Sequence, residues 1–256
     1  MTPGTAVETR LRQLADKGHR AQQQSVEDID WQRRPGLPFW LPRRLAAWAV
    51  SQFLHGEMAT AGMCRQIAPR LPSPAAQAFL ETQYLDEMRH AAIYGRYAES
   101  LGGAAKITPQ LAGAYDRALA WDGPVEGVIL AFHCILEGES LMLQQDVRRW
   151  FPCRQFGEIS DIVARDEARH VAFGRLWCQA ALPTLPVADH RRIRQHLRQL
   201  WFETMNSVIR RIRPFDIING PKPWPVWLEE TWAARERELA RHGLMLTGDR
   251  MATVAA

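Results

Sequence analysis

The chain has 256 residues, of which 46% are hydrophobic and 23% are charged, and this ordinary globular composition excludes general disorder. No apolar run reaches the roughly 18 residues of a membrane span, and the N-terminus has no apolar secretion segment. The net charge of +4 is spread over interspersed acidic and basic residues, so neither a nucleic-acid partner nor a membrane partner is predicted. The four cysteines are widely spaced without a CxxC pair, which is typical of a reducing cytoplasm and argues against a zinc ribbon.

Prolines divide the sequence into long proline-free runs rich in Ala, Leu, Glu, Gln and Arg, a pattern that predicts helices. A polar, peripheral helix is expected within residues 1–24, and a short helix near 109–120. The Pro- and Trp-rich stretch 214–228 is expected to be a loop before a charged final helix at 229–242. Strand signals are sparse, so the predicted fold class is all-α. The main helical runs are 43–68, 75–108, 125–151, 153–182 and 187–213.

Two of the connections between these runs, at 69–74 and around 152, are short and therefore predict two antiparallel helical hairpins. A long connection lies between the hairpins, which is the connectivity of a ferritin-like four-helix bundle. We therefore predict a single ferritin-like domain over residues 1–256. Its core bundle is expected at about 43–182, with a C-terminal helical extension at about 187–245 and an additional N-terminal helix.

A five-residue motif occurs twice in the chain. The sequence DEMRH at 86–90 recurs as DEARH at 166–170, an offset of 80 residues. Thirty residues before the glutamate of each motif stands another glutamate, Glu57 in the first copy and Glu137 in the second. The chain therefore contains the pattern Glu-x29-Glu-x-x-His twice, and a matched pair of this kind indicates a functional site.

The spacing of the motif has a geometric meaning. Glu87 and His90 stand at positions i and i+3, so they project from one face of a helix. Glu57 and Glu87 each lie fifteen residues from the centre of the first short connection, hence at the same depth in the hairpin. Glu137 and Glu167 repeat this arrangement in the second hairpin. We therefore expect four carboxylates and two imidazoles in one layer of the bundle.

Charge balance indicates what this layer would hold. Each of its glutamates lies on an apolar helical stripe, and a carboxylate buried there without a partner costs several kcal/mol. Four carboxylates and two neutral imidazoles carry a charge of −4, which two divalent cations neutralise. Oxygen-rich ligation with one imidazole per metal favours iron or manganese over zinc. The inward-facing carboxylates disfavour the alternative of a metal-free helical interaction protein.

With these motifs the sequence resembles the ferritin-like non-haem di-iron carboxylate oxidases and oxygenases. That superfamily includes bacterial multicomponent monooxygenases, acyl-carrier-protein desaturases, aldehyde-deformylating oxygenases and the small subunit of ribonucleotide reductase. The resemblance covers about residues 43–182 and implies two iron ions, with an Mn/Fe pair as the alternative. It implies Glu57, Glu87 and His90 as ligands of one metal and Glu137, Glu167 and His170 as ligands of the other, with Glu87 and Glu167 bridging.

The same resemblance implies residues that support the ligands. In such proteins the aspartate before the motif glutamate binds the histidine of the opposite motif, which fixes the tautomer of the imidazole. The implied partners are Asp86 with His170 and Asp166 with His90, with Arg89 and Arg169 balancing the charge of the two aspartates.

Further candidates lie on the same helix faces. His133, one turn before Glu137, is a candidate base or extra ligand, and the alternative is a hydrogen-bonded core histidine. Thr60 and Ser140 follow the upstream glutamates by one turn and are candidates to bind metal-bound water, and the alternative is a bond to a helix carbonyl. Glu139 competes with Glu137 for the ligand position, but the repeat selects Glu137.

The sequence departs from two subfamilies. Arylamine N-oxygenases carry an additional ligand histidine four residues before the last motif glutamate, where this chain has Val163. Tyr94 stands where the small subunit of ribonucleotide reductase has its radical tyrosine, but the chain lacks that protein's length. We therefore interpret Tyr94 as a core aromatic residue.

The resemblance implies an O2-activating di-iron monooxygenase that hydroxylates or otherwise oxidises a small organic substrate. The alternatives are an N-oxygenase, an aldehyde-deformylating oxygenase and, from another class, a ferroxidase that handles iron. The chain has no cysteine cluster for an iron–sulfur centre and no glycine motif for a flavin phosphate, so we expect an external ferredoxin or flavin reductase. The oligomeric state stays open, with a homodimer as one option.

Overall fold

The computed structural model describes residues 4–150, 153–206 and 222–245. Throughout this part of the chain the regular secondary structure is helical and no strand occurs, as predicted. A π-helical segment, Ala131–Leu136, joins α5 to α6 without a break. The α-helices are α1 (Thr5–Ala21), α2 (Arg43–Ile67), α3 (Pro74–Ser100), α4 (Pro109–Leu119), α5 (Val125–Leu130), α6 (Glu137–Trp150), α7 (Arg154–Ala181), α8 (Val187–Thr204) and α9 (Trp224–Arg241).

Local sequence signals set the ends of these helices, as α3 illustrates. The hydroxyl of Ser73 accepts a hydrogen bond from the backbone N–H of Ala76 at 3.0 Å, and Pro74 occupies the first helical position. The helix stops before Gly102 and Gly103, whose φ angles of 117° and 116° suit glycine and strain other residues. The predicted short helix is confirmed as α4, which lies in the connection between the hairpins.

The central helices form two hairpins that face each other. In the first hairpin α2 packs along α3, in the second α6 packs along α7, and α3 contacts α7 between them. The apolar interior is divided into two clusters: one contains Phe79 and Phe173, the other Phe53, Tyr94 and Val163. Helices α2, α3 and α7 each contribute residues to both clusters. Along each of these helices, the change from one cluster to the other occurs at the acidic residues of the predicted layer. The predicted acidic layer therefore lies between two apolar clusters.

Helix α1 docks onto the bundle through one face. It packs on both α3 and α7, and the side chain of Leu11 is fully buried. Gly18 allows the close approach to α3, because a Cβ atom there would lie 2.3 Å from Thr82 Oγ1. The expectation of a polar outer helix is confirmed, because only Leu11, Ala15 and Gly18 are buried, and these few residues on one face suffice to dock it.

The predicted loop at 214–228 is also partly wrong. Its last residues form the start of α9, where Trp224 stacks on Trp227 with ring centroids 5.1 Å apart. Pro223 precedes the helix, a position that proline favours because its fixed φ suits a helix start. The earlier part of this stretch and the end of the predicted run 187–213 lie outside the described residues. The division of the chain into domains stays a prediction.

Among the described helices none has the length and apolar character required to cross a membrane.

Candidate metal centre

Six buried side chains from four helical segments meet in one layer, as the repeat predicts. Their ligand atoms form two groups, and within each group these atoms lie within 4.8 Å of one another. Glu87 and Glu167 belong to both groups, so they occupy the shared position between two potential metal sites. The first group is Glu57, Glu87, His90 and Glu167, and the second is Glu87, Glu137, Glu167 and His170.

Each imidazole points its Nδ1 atom at the carboxylates. His90 Nδ1 lies 3.5 Å from Glu57 Oε2 and 3.5 Å from Glu167 Oε1. His170 Nδ1 lies 3.1 Å from Glu167 Oε2 and 3.2 Å from Glu87 Oε1. The two Nδ1 atoms are therefore the nitrogen atoms that a metal in this layer would meet.

The other nitrogen of each imidazole contacts the aspartate of the opposite motif. His90 Nε2 lies 3.1 Å from Asp166 Oδ2, and His170 Nε2 lies 3.2 Å from Asp86 Oδ2. An ionised carboxylate only accepts hydrogen bonds, so the Nε2 atom must carry the proton and donate it. This contact leaves the lone pair of Nδ1 directed into the layer, which is the orientation that metal ligation needs.

Two arginines close a network around these aspartates. Arg89 contacts Asp86 at 2.7 Å and Asp166 at 2.6 Å, while Arg169 contacts the same two residues at 2.8 Å and 2.7 Å. Gln22, at the end of α1, donates to Asp86 Oδ1 at 2.7 Å and accepts from Arg89 at 3.0 Å. Sequence reasoning missed Gln22, since its role depends on the docking of α1, which no local pattern shows.

The pKa values of the carboxyl groups differ within the layer. Burial raises the pKa of Glu57 and of Glu137 well above the usual range, and for Glu137 the charge of Glu167 adds to this effect. Burial acts in the same direction on Glu87, but the charge and hydrogen bond of His170 outweigh it and lower the pKa of Glu87. Without metal, Glu57 and Glu137 therefore keep their protons to a higher pH than an ordinary glutamate does.

Three buried atoms of the layer fit a cation. Glu87 Oε2, His90 Nδ1 and Glu137 Oε2 are buried and have no hydrogen-bond partner. Buried polar atoms in folded proteins are nearly always paired, so the unpaired polar atoms that converge here require an explanation. Four carboxylates and two imidazoles form a donor set suited to iron or manganese. The residues present therefore fit a pair of divalent cations.

Gln83 is a site residue that sequence reasoning missed. Its Nε2 donates to Glu87 Oε1 at 3.1 Å and to Glu137 Oε1 at 3.2 Å, and its Oε1 lies 3.0 Å from His133 Nε2. The other nitrogen of His133 lies 3.0 Å from the carbonyl oxygen of Ile129. Burial lowers the pKa of His133 to about 4. His133 belongs to neither ligand group and contacts the layer only through Gln83. The position of Gln83 one turn before Glu87 is the signal that could have revealed it.

The remaining candidates take varied positions. Thr60 Oγ1 donates to the carbonyl of Gly56 at 3.2 Å, which is the helix-carbonyl alternative. Thr60 and Ser140 both line a cavity beside the layer. Tyr94 is fully buried in an apolar cluster, as interpreted from the sequence. The side chain of Glu139 lies outside the described residues.

A half-open cavity of about 60 Å³ reaches the layer, where Glu57, Glu137 and Glu167 form part of its wall. Its volume is equivalent to roughly four to six water molecules, so it is small. The wall combines apolar and hydrogen-bonding side chains. The apolar ones are Phe53, Leu111, Leu136, Leu143 and Met205, and the polar ones are Gln52, Thr60, Tyr115, Ser140 and Thr204.

No protein-family model matches this chain, and no curated protein matches it. Solved structures of R2-like ligand-binding oxidase match the fold of this chain. A variant with aerobically reconstituted Mn/Fe cofactor is 18% identical, with a TM-score of 0.69 over 90% of this chain and 93% of that chain. A second, with a non-activated Mn/Mn cofactor, is 17% identical, with a TM-score of 0.66 over 90% and 93% of the two chains. The chain has an R2-like fold.

The R2-like fold confirms the predicted architecture. R2-like ligand-binding oxidases are ferritin-like dimetal carboxylate proteins, so the expectation of an all-α, ferritin-like fold with helices added at both ends is confirmed. A third such structure, with aerobically reconstituted Mn/Fe cofactor, has a TM-score of 0.62 at 18% identity over 92% of this chain and 86% of that chain. The similarity covers nearly the whole R2-like chain and is not confined to the four central helices.

Proposed function

We propose that this chain is an O2-activating dimetal oxidoreductase that oxidises a small organic substrate. The single observation that carries the proposal is the half-open cavity whose wall contains three carboxylates of the ligand layer. A substrate in that cavity would lie directly beside the metals. The proposed ligands are Glu57, Glu87, His90 and Glu167 for one metal and Glu87, Glu137, Glu167 and His170 for the other.

The proposed cofactor is a pair of iron ions, with an Mn/Fe pair as the alternative. The carboxylate-rich donor set with one imidazole per metal supports this choice. Structures of the same fold carry Mn/Fe or Mn/Mn cofactors, which supports it independently of the donor set. When bound, such a pair supplies the electrons and the coordination positions that the reduction of O2 requires.

The chain's own contribution is to keep the ligands in place. Asp86 and Asp166 hold the protons of the two imidazoles on Nε2, so both Nδ1 atoms stay free to bind metal. The arginines that bridge the aspartates link α3 to α7. Because this network is buried between apolar clusters, we propose that it preserves the ligand geometry while the metals change oxidation state.

The cavity defines the class of substrate. Phe53, Leu111 and Leu143 offer apolar surface, and the small volume favours a small molecule. The hydroxyl of Tyr115 lies beside the helix that carries Glu57, and burial raises its pKa, so it keeps its proton and can donate a hydrogen bond. We therefore propose a small, largely apolar substrate with one polar group. The proposed reaction is hydroxylation or a related oxidation, with N-oxygenation and deformylation as alternatives.

An external electron donor belongs to the same proposal. The four cysteines are buried and unpaired, and their spacing offers no cluster that could hold an iron–sulfur centre. A monooxygenase requires two electrons for each turnover in addition to those that O2 takes from the substrate. We propose that a separate ferredoxin or flavin reductase delivers them.

The test combines metal-loaded protein, O2, a reductase system and a panel of small organic substrates. The proposal expects an oxygenated product whose amount depends on the reductant. Repeated oxidation of Fe(II) with release of Fe(III), and no reductant-dependent product from any substrate, would favour a ferroxidase instead.

A pair of variants tests the cavity itself. Leu143→Trp should block the cavity and lower product formation at least tenfold, while metal content stays unchanged. The matched control is Leu45→Trp, at an exposed position outside the cavity wall, which should change neither quantity. Equal product formation by both variants would show that the substrate binds elsewhere.

A further inference from the structure

The internal repeat holds for the ligand layer but fails one helical turn away from it. At the offset of 80 residues every ligand has an identical counterpart, as do the supporting aspartates and arginines. The neighbouring positions differ in chemical character. Phe53 corresponds to His133, Val163 to Gln83, and Tyr94 to Gly174.

In one half of the centre this neighbourhood is polar and built for hydrogen bonding. Carboxylates only accept, so the amide NH2 of Gln83 must face Glu87 and Glu137, as it does at 3.1 and 3.2 Å. The amide oxygen then faces His133 Nε2 at 3.0 Å, while Nδ1 of the same imidazole faces the carbonyl oxygen of Ile129. A neutral imidazole has one proton, so the tautomer that donates to Gln83 carries it on Nε2 and leaves Nδ1 without one. Gly174 leaves the room for this histidine, because a Cβ atom there would lie 2.8 Å from the Cβ atom of His133.

In the other half the corresponding side chains are apolar. Phe53 stacks on Tyr94 with ring centroids 5.5 Å apart, so the tyrosine ring packs where the counterpart position holds a glycine. Val163 is fully buried in the same cluster. Neither a phenyl nor an isopropyl group has a hydrogen-bond donor. Phe53 and Val163, the counterparts of His133 and Gln83, therefore cannot hold Glu57 as Gln83 holds Glu137, and the buried hydroxyl of Tyr94 makes no hydrogen bond with the described residues.

We propose that Gln83 and His133 form a positioning pair that makes the two metal positions unequal. Gln83 holds Oε1 of Glu137, which leaves the unpartnered Oε2 of that residue for the metal. His133 fixes the orientation of the Gln83 amide. The position beside Glu137 and His170 is therefore preset and binds the first divalent cation, and the position beside Glu57 is more adjustable and binds the second. This inference rests on the metal centre of the proposed function.

The first experiment is an anaerobic calorimetric titration of the metal-free protein with Mn(II). Wild type should bind two Mn(II) in unequal steps. Gln83→Met keeps the length and volume of the side chain but removes the amide, and should weaken the tighter step about 10- to 100-fold. The affinity of the weaker Mn(II)-binding step should change by less than about threefold. Equal weakening of both steps would contradict the proposal.

His133→Phe is the second variant. It replaces His133 by the residue type that occupies the corresponding position of the other half, Phe53. Since His133 acts through Gln83, His133→Phe should also weaken the tighter Mn(II)-binding step, but by less than Gln83→Met does. This variant also carries the test if Gln83→Met does not fold. The matched control is Gln155→Met, because Gln155 is equally buried on α7 but donates to the backbone of Asp30, 3.0 Å away. The control should leave both binding steps unchanged.

The second experiment locates the first metal. Crystals of protein loaded with one equivalent of Mn(II) should show stronger anomalous scattering beside Glu137 and His170 than beside Glu57 and His90. In Gln83→Met the ratio of the two peaks should fall towards one or reverse. Equal peaks in wild type, or an unchanged ratio in the variant, would overturn the positioning pair. Failure of wild type to bind two Mn(II) would instead contradict the metal centre itself.

Discussion

The two halves of the metal centre have the same ligands but different surroundings. The layer and its Asp–Arg network repeat residue for residue, as the proposed pair of metal positions requires, since each would need the same donors and the same tautomer of its imidazole. One turn away, Gln83 and His133 in one half face Phe53 and Val163 in the other, where packing alone is required. The comparison shows that the carboxylate–imidazole layer is the same in the two halves and that the next turn of helix is not.

The largest expected effect comes from removing a glutamate that both halves share. Glu87 belongs to both ligand groups and Glu57 to one, so Glu87→Ala should lose both metals while Glu57→Ala should retain about one. Anaerobic Fe(II) loading followed by metal analysis gives the stoichiometry. Glu81→Ala, at an exposed position of the same helix, is the control and should bind like wild type. Equal metal content in the two test variants would show that Glu87 is not shared.

The next effect concerns the buried network that joins the halves. Arg89 has only 8% of its side chain exposed and contacts both Asp86 and Asp166, so Arg89→Met removes one of the two cations that balance these buried carboxylates. The variant should lose about 3 kcal/mol of unfolding free energy.

The control for this prediction is a surface pair of the same chemistry. Arg148 is half exposed and pairs with Asp161, so Arg148→Met should lose less than about 1 kcal/mol. Urea unfolding of the metal-free proteins measures both values. Similar losses in the two variants would mean that the buried network is not important for stability.

A third prediction uses the symmetry of the network. Asp86→Asn and Asp166→Asn each remove the charge that holds an imidazole proton on Nε2, and each should weaken iron binding about 10- to 100-fold. Because the repeat gives both residues the same role, the two effects should agree within about threefold. The exposed Asp161→Asn is the matched control. Unchanged iron affinity in both test variants would show that the aspartates do not support the ligands.

The smallest effect is a pH dependence of the metal-free protein. Burial raises the pKa of Glu57 and Glu137, and carboxylate partners outweigh burial to raise the pKa of His90 and His170. A group with a raised pKa binds more protons when folded, so its stabilising contribution is present at low pH. That contribution is lost as pH rises above the unfolded values of about 4.3 for Glu and 6.5 for His.

Metal binding displaces these protons, so the gain in melting temperature on loading Mn(II) should increase from pH 6 to pH 8. Differential scanning calorimetry at the two pH values, with and without Mn(II), measures this gain. A gain that falls with pH would contradict the assigned protonation states.

Much of the fold and the six residues that meet in the layer could be read from the sequence, for identifiable reasons. Proline and glycine mark helix ends locally, as at Pro74 and Gly102, so the boundaries of the central helices follow from short-range rules. The ligands were found because each ligand type is chemically distinctive and the spacing is repeated. The equal distances from the short connections then predicted that Glu57 and Glu87 would meet in one layer.

The residues that escaped prediction act through tertiary placement. Gln22 reaches Asp86 only because Gly18 lets α1 approach Thr82, and a glutamine near a helix end has no distinctive pattern. Gln83 is one of several glutamines on apolar helices, and its partners come from two helices. Trp224 was assigned to a loop because the prolines around it indicate a turn, although proline is equally compatible with the first turn of a helix.

The most direct test of the account is the number of metals that the layer holds. Metal-free protein is loaded anaerobically with Fe(II), freed of excess metal and measured by elemental analysis and Mössbauer spectroscopy. The account predicts close to two irons per chain, in two distinguishable environments, bridged by Glu87 and Glu167. A stoichiometry of zero or one iron per chain would contradict the dinuclear centre on which the proposed function rests.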